Sequence, residues 1–184
     1  MGKTETGLTS FWPDDGLDEG PILMQKKCSI GPDETLGDVY FKKLFPMGVD
    51  AMMESLDLVT AGIIIKHDQR LDDGSYESWF KKADAKLDWA KPVADVYNII
   101  RAANPAPGAW TTLGGNEVQI YDSARVDGEG TPGEVVSVDE NGVSVQAGGG
   151  RIVIKRVRPK GGDKQPATDW ASSAGVEAGT KLDS

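Results

Sequence analysis

Cysteine is almost absent from this chain of 184 residues: Cys28 stands alone, so no internal disulfide can form and stability has to come from packing. Histidine is as scarce. His67 is the single imidazole, and one Cys with one His cannot supply the three or four ligands of an ordinary zinc site, so no metal is expected. There is no signal-peptide pattern and no unbroken apolar run of about 18 residues, which leads to the expectation of a soluble, cytoplasmic protein. Positive charge is in deficit as well. With 20 Lys and Arg against 29 Asp and Glu, the formal charge is −9 and the pI about 4.6. That field has the wrong sign for whole-surface attraction to nucleic acid or anionic lipid, although local patches are not excluded.

What is present can fill a core. The apolar fraction is 39%, with five Trp, and the length suits one domain of ordinary size or two small ones. Near the start, residues 11–25 read FWPDDGLDEGPILMQ, four carboxylates among turn-forming Gly and Pro between the β-prone LTSFW and the apolar PILMQ. The pattern predicts strand, acidic turn, strand. Two strands are not stable alone in water, so they need a sheet to join. Asp14, Asp15 and Glu19 read first as solvated residues shaping the turn, and by pattern alone Asp18 reads the same way.

A helix follows. Asp33, Glu34 and Thr35 form a start signal, Leu36, Val39, Tyr40 and Leu44 recur at helical spacing, and Pro46 is expected to interrupt. Val49, Met52, Met53, Leu56 and Val59 give a second amphipathic run that Gly62 can end, its Met pair reading as core packing. Residues 63–91 read as an ordered connector with Trp79, Phe80 and Trp89 tucked against a surface. A helix with Val93, Val96, Tyr97 and Ile100 on one face stops before Pro105. Thereafter AWTTL, EVQIYDSARV, GEVVSV, GVSVQA and RIVIKRVRP alternate around Gly- and Asn-rich turns, predicting five strands in a small barrel. A short helix is expected near 169–174 and a loose tail over 176–184.

Three blocks in this order, FWPDDGLDEGPILMQ, TLGDVYFKKLFPMGV, and DWAKPVADVYNIIRAANPAPGAWTTL with GTPGEVV, resemble the formyltransferases that use 10-formyltetrahydrofolate. The C-terminal block is most similar to the methionyl-tRNA type, and the acidic turn to the hydrolase domain of 10-formyltetrahydrofolate dehydrogenases. The resemblance implies an α/β plus β chain: the C-terminal part of a Rossmann-like catalytic domain over residues 1–62, the connector, and an OB-like barrel over 92–184. It implies 10-formyltetrahydrofolate as co-substrate, Asp18 as the catalytic carboxylate, and Asp14, Asp15 and Gly16 as the loop bordering the pterin. The family pattern places an Asn-x-His pair upstream of the acidic turn, and no residue here matches it. A tetrahedral formyl-transfer centre carries an oxyanion that a lone carboxylate repels, so the chain by itself is expected to be inactive. His67, beside Asp68 in a polar stretch, reads as a surface histidine.

A second candidate lies in the predicted barrel. Residues 151–164, RIVIKRVRPKGGDK, hold six basic residues and one acidic, and Arg156, Arg158 and Lys160 stand two apart, as on one face of a strand. Such a stripe suits RNA phosphates, and equally an edge strand guarded by charge. From 92 to 184 there are nine Lys or Arg and twelve Asp or Glu, so the region is not a basic module overall. Three functions follow: formyl transfer to initiator Met-tRNA; hydrolysis of the formyl group or its delivery to a small amine; or a non-catalytic binding or assembly module from a truncated or split gene, acting with an N-terminal segment or partner chain. An exposed sheet edge and apolar face lead to the expectation of a poorly stable or oligomeric chain.

Overall fold

In a computed structural model that describes residues 2–183, the runs flanking the acidic turn become β1 (Glu5–Phe11) and β2 (Ile22–Ser29). They pair antiparallel from Glu5↔Ser29 to Ser10↔Met24, with a register shift that sets Phe11 opposite Ile22. This sheet has two strands among the described residues. It is covered by a helical run: α1 (Leu36–Val39), a π-helical turn (Tyr40–Leu44) and α2 (Phe45–Thr60). Thr35 caps the start, its hydroxyl accepting the Asp38 N–H while the Asp38 carboxylate accepts the Thr35 N–H. Pro46 does not break the run. It sits in the first turn of α2, where its missing N–H is tolerated, and the π-turn before it re-registers the backbone.

The apolar face predicted for α2 exists, but little of it is covered. Ala51, Val39 and Leu23 are buried, whereas Met52 and Met53 are each 57% exposed, so the expectation of core packing for the Met pair does not hold in this chain. Trp79 is 85% exposed and is not tucked down, while Trp89 is fully buried. By contact the chain forms two compact units, Lys3–Trp79 and, together with Gly2, residues 80–183.

The second unit opens with the buried Ala85, Leu87 and Trp89 and then α3 (Val93–Ala102), whose Val96, Tyr97 and Ile100 face the core. Eight strands follow: β3 (Ala109–Leu113), β4 (Asn116–Ile120), β5 (Ser123–Val126), β6 (Val135–Asp139), β7 (Gly142–Ala147), β8 (Gly150–Ile154), β9 (Arg156–Pro159) and β10 (Gln165–Pro166). They make two four-stranded antiparallel sheets, ordered β10-β9-β4-β3 and β5-β8-β7-β6, and among the described residues no closed barrel. The predicted runs were fewer and longer because two of them bend. Gln119↔Arg158 in β4·β9 and Ala124↔Val153 in β5·β8 keep the same offset, so the two pairings form one ribbon. At the bend the Asp122 carbonyl accepts both the Lys155 and Arg156 N–H groups, at 2.8 and 3.2 Å.

α4 (Ala167–Ala174) ends at Gly175 in the left-handed region, as a C-terminal stop should. The tail beyond it is not loose. Val176 and Leu182 are buried, and the Leu182 N–H donates to the Gly133 carbonyl at 2.8 Å. Trp89 Nε1 donates to Thr111 Oγ1, and that hydroxyl donates to the Asp183 carbonyl, tying tail to core. Ser184, the last residue of the expected tail, lies outside the described residues. No helix among the described residues is long and apolar enough to cross a membrane.

Candidate functional site: an acidic turn and a cationic strand

The acidic turn is an ordered loop. The Trp12 N–H donates to the Pro21 carbonyl at 2.9 Å, closing its neck, and a Cβ on Gly20 would stand 1.8 Å from the Trp12 carbonyl oxygen. Only glycine fits there. Within the loop, Asp14 Oδ1 accepts the Gly16 N–H at 2.9 Å, an Asx turn that pre-shapes the backbone. Asp18 has φ +57°, the only described non-glycine residue in the left-handed region. Its carbonyl accepts from Gln69 Nε2 at 2.8 Å, and the same amide reaches the Gly20 carbonyl at 2.7 Å.

A segment after α2 therefore frames the loop. His67 and Ile22 exchange backbone hydrogen bonds at 2.7 and 3.0 Å, and Trp12 Nε1 donates to the Ile65 carbonyl. The His67 side chain is exposed and hydrogen-bonds to no other described residue. Residues 14–19 are all exposed, and the Asp15, Asp18 and Glu19 carboxylates have no hydrogen-bond or ion-pair partner among the described residues. Chemically the loop offers exposed carboxylate oxygens on an ordered backbone. Nothing in the sequence singles out Gln69 as the clamp. An apolar groove of about 530 Å³ lies elsewhere in this unit, between β1 and α2, and includes Leu8, Tyr40, Phe45 and Val49. No group of three or more metal-ligating side chains occurs among the described residues.

In the second unit Arg156 and Arg158 are exposed on either side of the buried Val157 in β9, and Lys160 lies in the turn that follows. Arg156 Nε is 3.7 Å from Asp122 Oδ2, and Arg158 Nε donates to Gln119 Oε1 at 2.8 Å. Tyr121, opposite Arg156 by register, is buried. Lys164, outside the alternating pattern, sets its ammonium 3.7 Å from the Tyr121 ring centre.

The sequence profile of the formyl transferase C-terminal domain matches residues 80–175, and that of formyl transferase matches residues 1–56. The chain belongs to the formyltransferase family. It is 36% identical over 183 residues to a methionyl-tRNA formyltransferase of Geotalea daltonii, covering 98% of this chain and 58% of that one. It is 32% identical to the human mitochondrial 10-formyltetrahydrofolate dehydrogenase, covering 94% of this chain and 20% of that protein. The chain thus spans less than two thirds of the length of these relatives. Its backbone is similar to that of HypX from Aquifex aeolicus in complex with tetrahydrofolic acid, at TM-score 0.71 and 19% identity, over 94% of this chain and 31% of that one. This last likeness bears on the fold alone.

Proposed function

We propose that this formyltransferase family member takes part in moving a formyl group from 10-formyltetrahydrofolate to the amine of initiator Met-tRNA. The observation that carries the reading is the match at 36% identity, across 98% of the chain, to a methionyl-tRNA formyltransferase. A cytoplasmic location goes with such an acceptor. The acidic turn is the folate side of the site: Asp14, Asp15 and Gly16 border the pterin, and Asp18 is the carboxylate that handles protons. The left-handed backbone at Asp18, held by Gln69, supports this, because strain kept by a dedicated clamp is a mark of functional loops. The bent ribbon of the second unit is the OB-like part, and Arg156, Arg158 and Lys160 lie along its RNA side.

The test is formylation of initiator Met-tRNA from 10-formyltetrahydrofolate, run with this chain alone and with the additional segment that the relatives contain. Formyl-Met-tRNA formed in either mixture and lost with Asp18→Ala is the expected result. Formate release without formyl-Met-tRNA would select the hydrolase reading, which the dehydrogenase match favours. Neither product, together with no folate binding, would overturn both.

A further inference from the structure

The proline loop before β3 and the cationic stretch after β8 meet at one buried residue pair, Gln119 and Tyr121. Gln119 Nε2 donates to the Pro107 carbonyl at 3.1 Å, which turns Oε1 outward to accept from Arg158 Nε at 2.8 Å and from the Tyr121 hydroxyl at 3.0 Å. Gly108 makes this possible. It has φ +88°, and a Cβ there would stand 2.9 Å from the Tyr121 hydroxyl and 3.2 Å from the Gln119 amide carbon. Gln119 and Tyr121 are 8% and 3% exposed, so the platform is rigid.

Two cations converge on it. The Lys164 ammonium lies 3.7 Å from the Tyr121 ring centre and the Arg158 guanidinium carbon 5.8 Å from the same centre. Their charges are therefore closer than the roughly 10 Å over which salt screens exposed charges. Neither has a carboxylate partner among the described residues, although acids outnumber bases in the chain and Arg156, Lys82, Lys42 and Lys43 each have one. Arg158 donates Nε to Gln119 and leaves its two Nη groups without an acceptor among the described residues, the fork that suits two oxygens of one phosphate. The ring attracts each cation but cannot neutralise two. An anion within reach of both would.

We propose that Arg158 and Lys164 form a clamp for one backbone phosphate of RNA, with Gln119 and Tyr121 as positioning residues and the loop around Pro107 and Gly108 as their support. This rests on the RNA reading above and changes its third member: Lys164, brought in by the ring, takes the place of Lys160 in the turn. The stem of Lys164 lies beyond β9 on an exposed loop, so its replacement leaves the core untouched.

The experiment is equilibrium binding of initiator tRNA by the full chain between about 50 and 200 mM salt. Lys164→Gln and Arg158→Gln are each expected to weaken binding about three- to tenfold at the lowest salt. The double variant should flatten the slope of log K against log salt by about one, as for one lost phosphate contact. Lys181→Gln, an exposed lysine of the same unit, should leave both quantities unchanged. If Arg158→Gln fails to fold, Lys164→Gln alone decides. Wild-type binding that Lys164→Gln leaves at full affinity and slope overturns the clamp while the RNA reading stands. So does equal weakening by Lys181→Gln, which would mean a diffuse field. No tRNA binding by the wild-type chain overturns both.

Discussion

At the scale of single residues, the acidic turn separates geometry from chemistry. Gly20 is fixed by a backbone neighbour: the 1.8 Å approach of a Cβ to the Trp12 carbonyl cannot be relieved by a side-chain rotation. Gly20→Ala is expected to destabilise the first unit by on the order of 2–3 kcal/mol. Thermal melts followed by Trp fluorescence and circular dichroism measure it. Asp18 behaves in the opposite sense. Its left-handed backbone is tolerable for Asp but better suited to Gly, so Asp18→Gly should stabilise by about 0.5–1 kcal/mol while abolishing the proposed formyl transfer. A variant that is both more stable and inactive would mark a position kept for function, whereas Asp18→Gly with unchanged activity would remove the carboxylate from the mechanism.

At the scale of elements, the start of α1 is held by charge. The Lys42 ammonium, and after it the Thr35 hydroxyl and amide, holds the Asp38 carboxyl well below the usual carboxylate range; Lys43 and then the Gly31 N–H lower Glu34. Depressed folded-state values mean that this stabilisation is complete above about pH 4, where the unfolded carboxylates ionise, and is lost as pH falls further. The difference in helix stability between wild type and Asp38→Asn should therefore be constant near neutral pH and shrink as pH falls below about 4, read by far-ultraviolet melts. Thr35→Ala should cost about 1 kcal/mol at neutral pH. These elements were legible: the cap signal, the α3 face, the turns at Gly114, Asn141 and Gly149, and the alternation of β7 all speak through local spacing. The rest depends on distant partners. Pro46 interrupts a pattern but not a helix once a π-turn precedes it, the bend at Asp122 divides runs that alternate without a break, and Leu182 finds Gly133 by a contact that no neighbouring residue announces. Asp18 was legible as part of a turn and its clamp was not, because Gln69 lies 51 positions away. Leu182→Ala tests the anchored tail, with an expected loss of about 2–4 kcal/mol from the second unit.

At the scale of the whole molecule, the two units are built to different depths. The contiguous buried cluster belongs to the second unit and joins Trp89, Ile100, Ile120, Ile152, Ile154 and Leu182, with β7 lying between β8 and β6. The first unit buries Leu23, Val39 and Ala51, and leaves Phe45, Val49, Met52 and Met53 more than half exposed. Apolar burial dominates folding free energy, and a two-stranded sheet contributes little by itself, so the two units should not share one unfolding free energy. Native-state hydrogen exchange is expected to show the amides of β7 and β8 exchanging only through the largest opening, with those of β1, β2 and α2 opening at a lower free energy. Glu at Met52 and Met53 gives the complementary measurement. Both side chains are exposed, so M52E/M53E should alter the intrinsic stability of the first unit by less than about 0.5 kcal/mol, yet reduce concentration-dependent association seen by light scattering. Uniform protection across both units, or a first unit that unfolds when those methionines are replaced, would mean that this apolar face is covered in solution and that the unit derives its stability from whatever covers it.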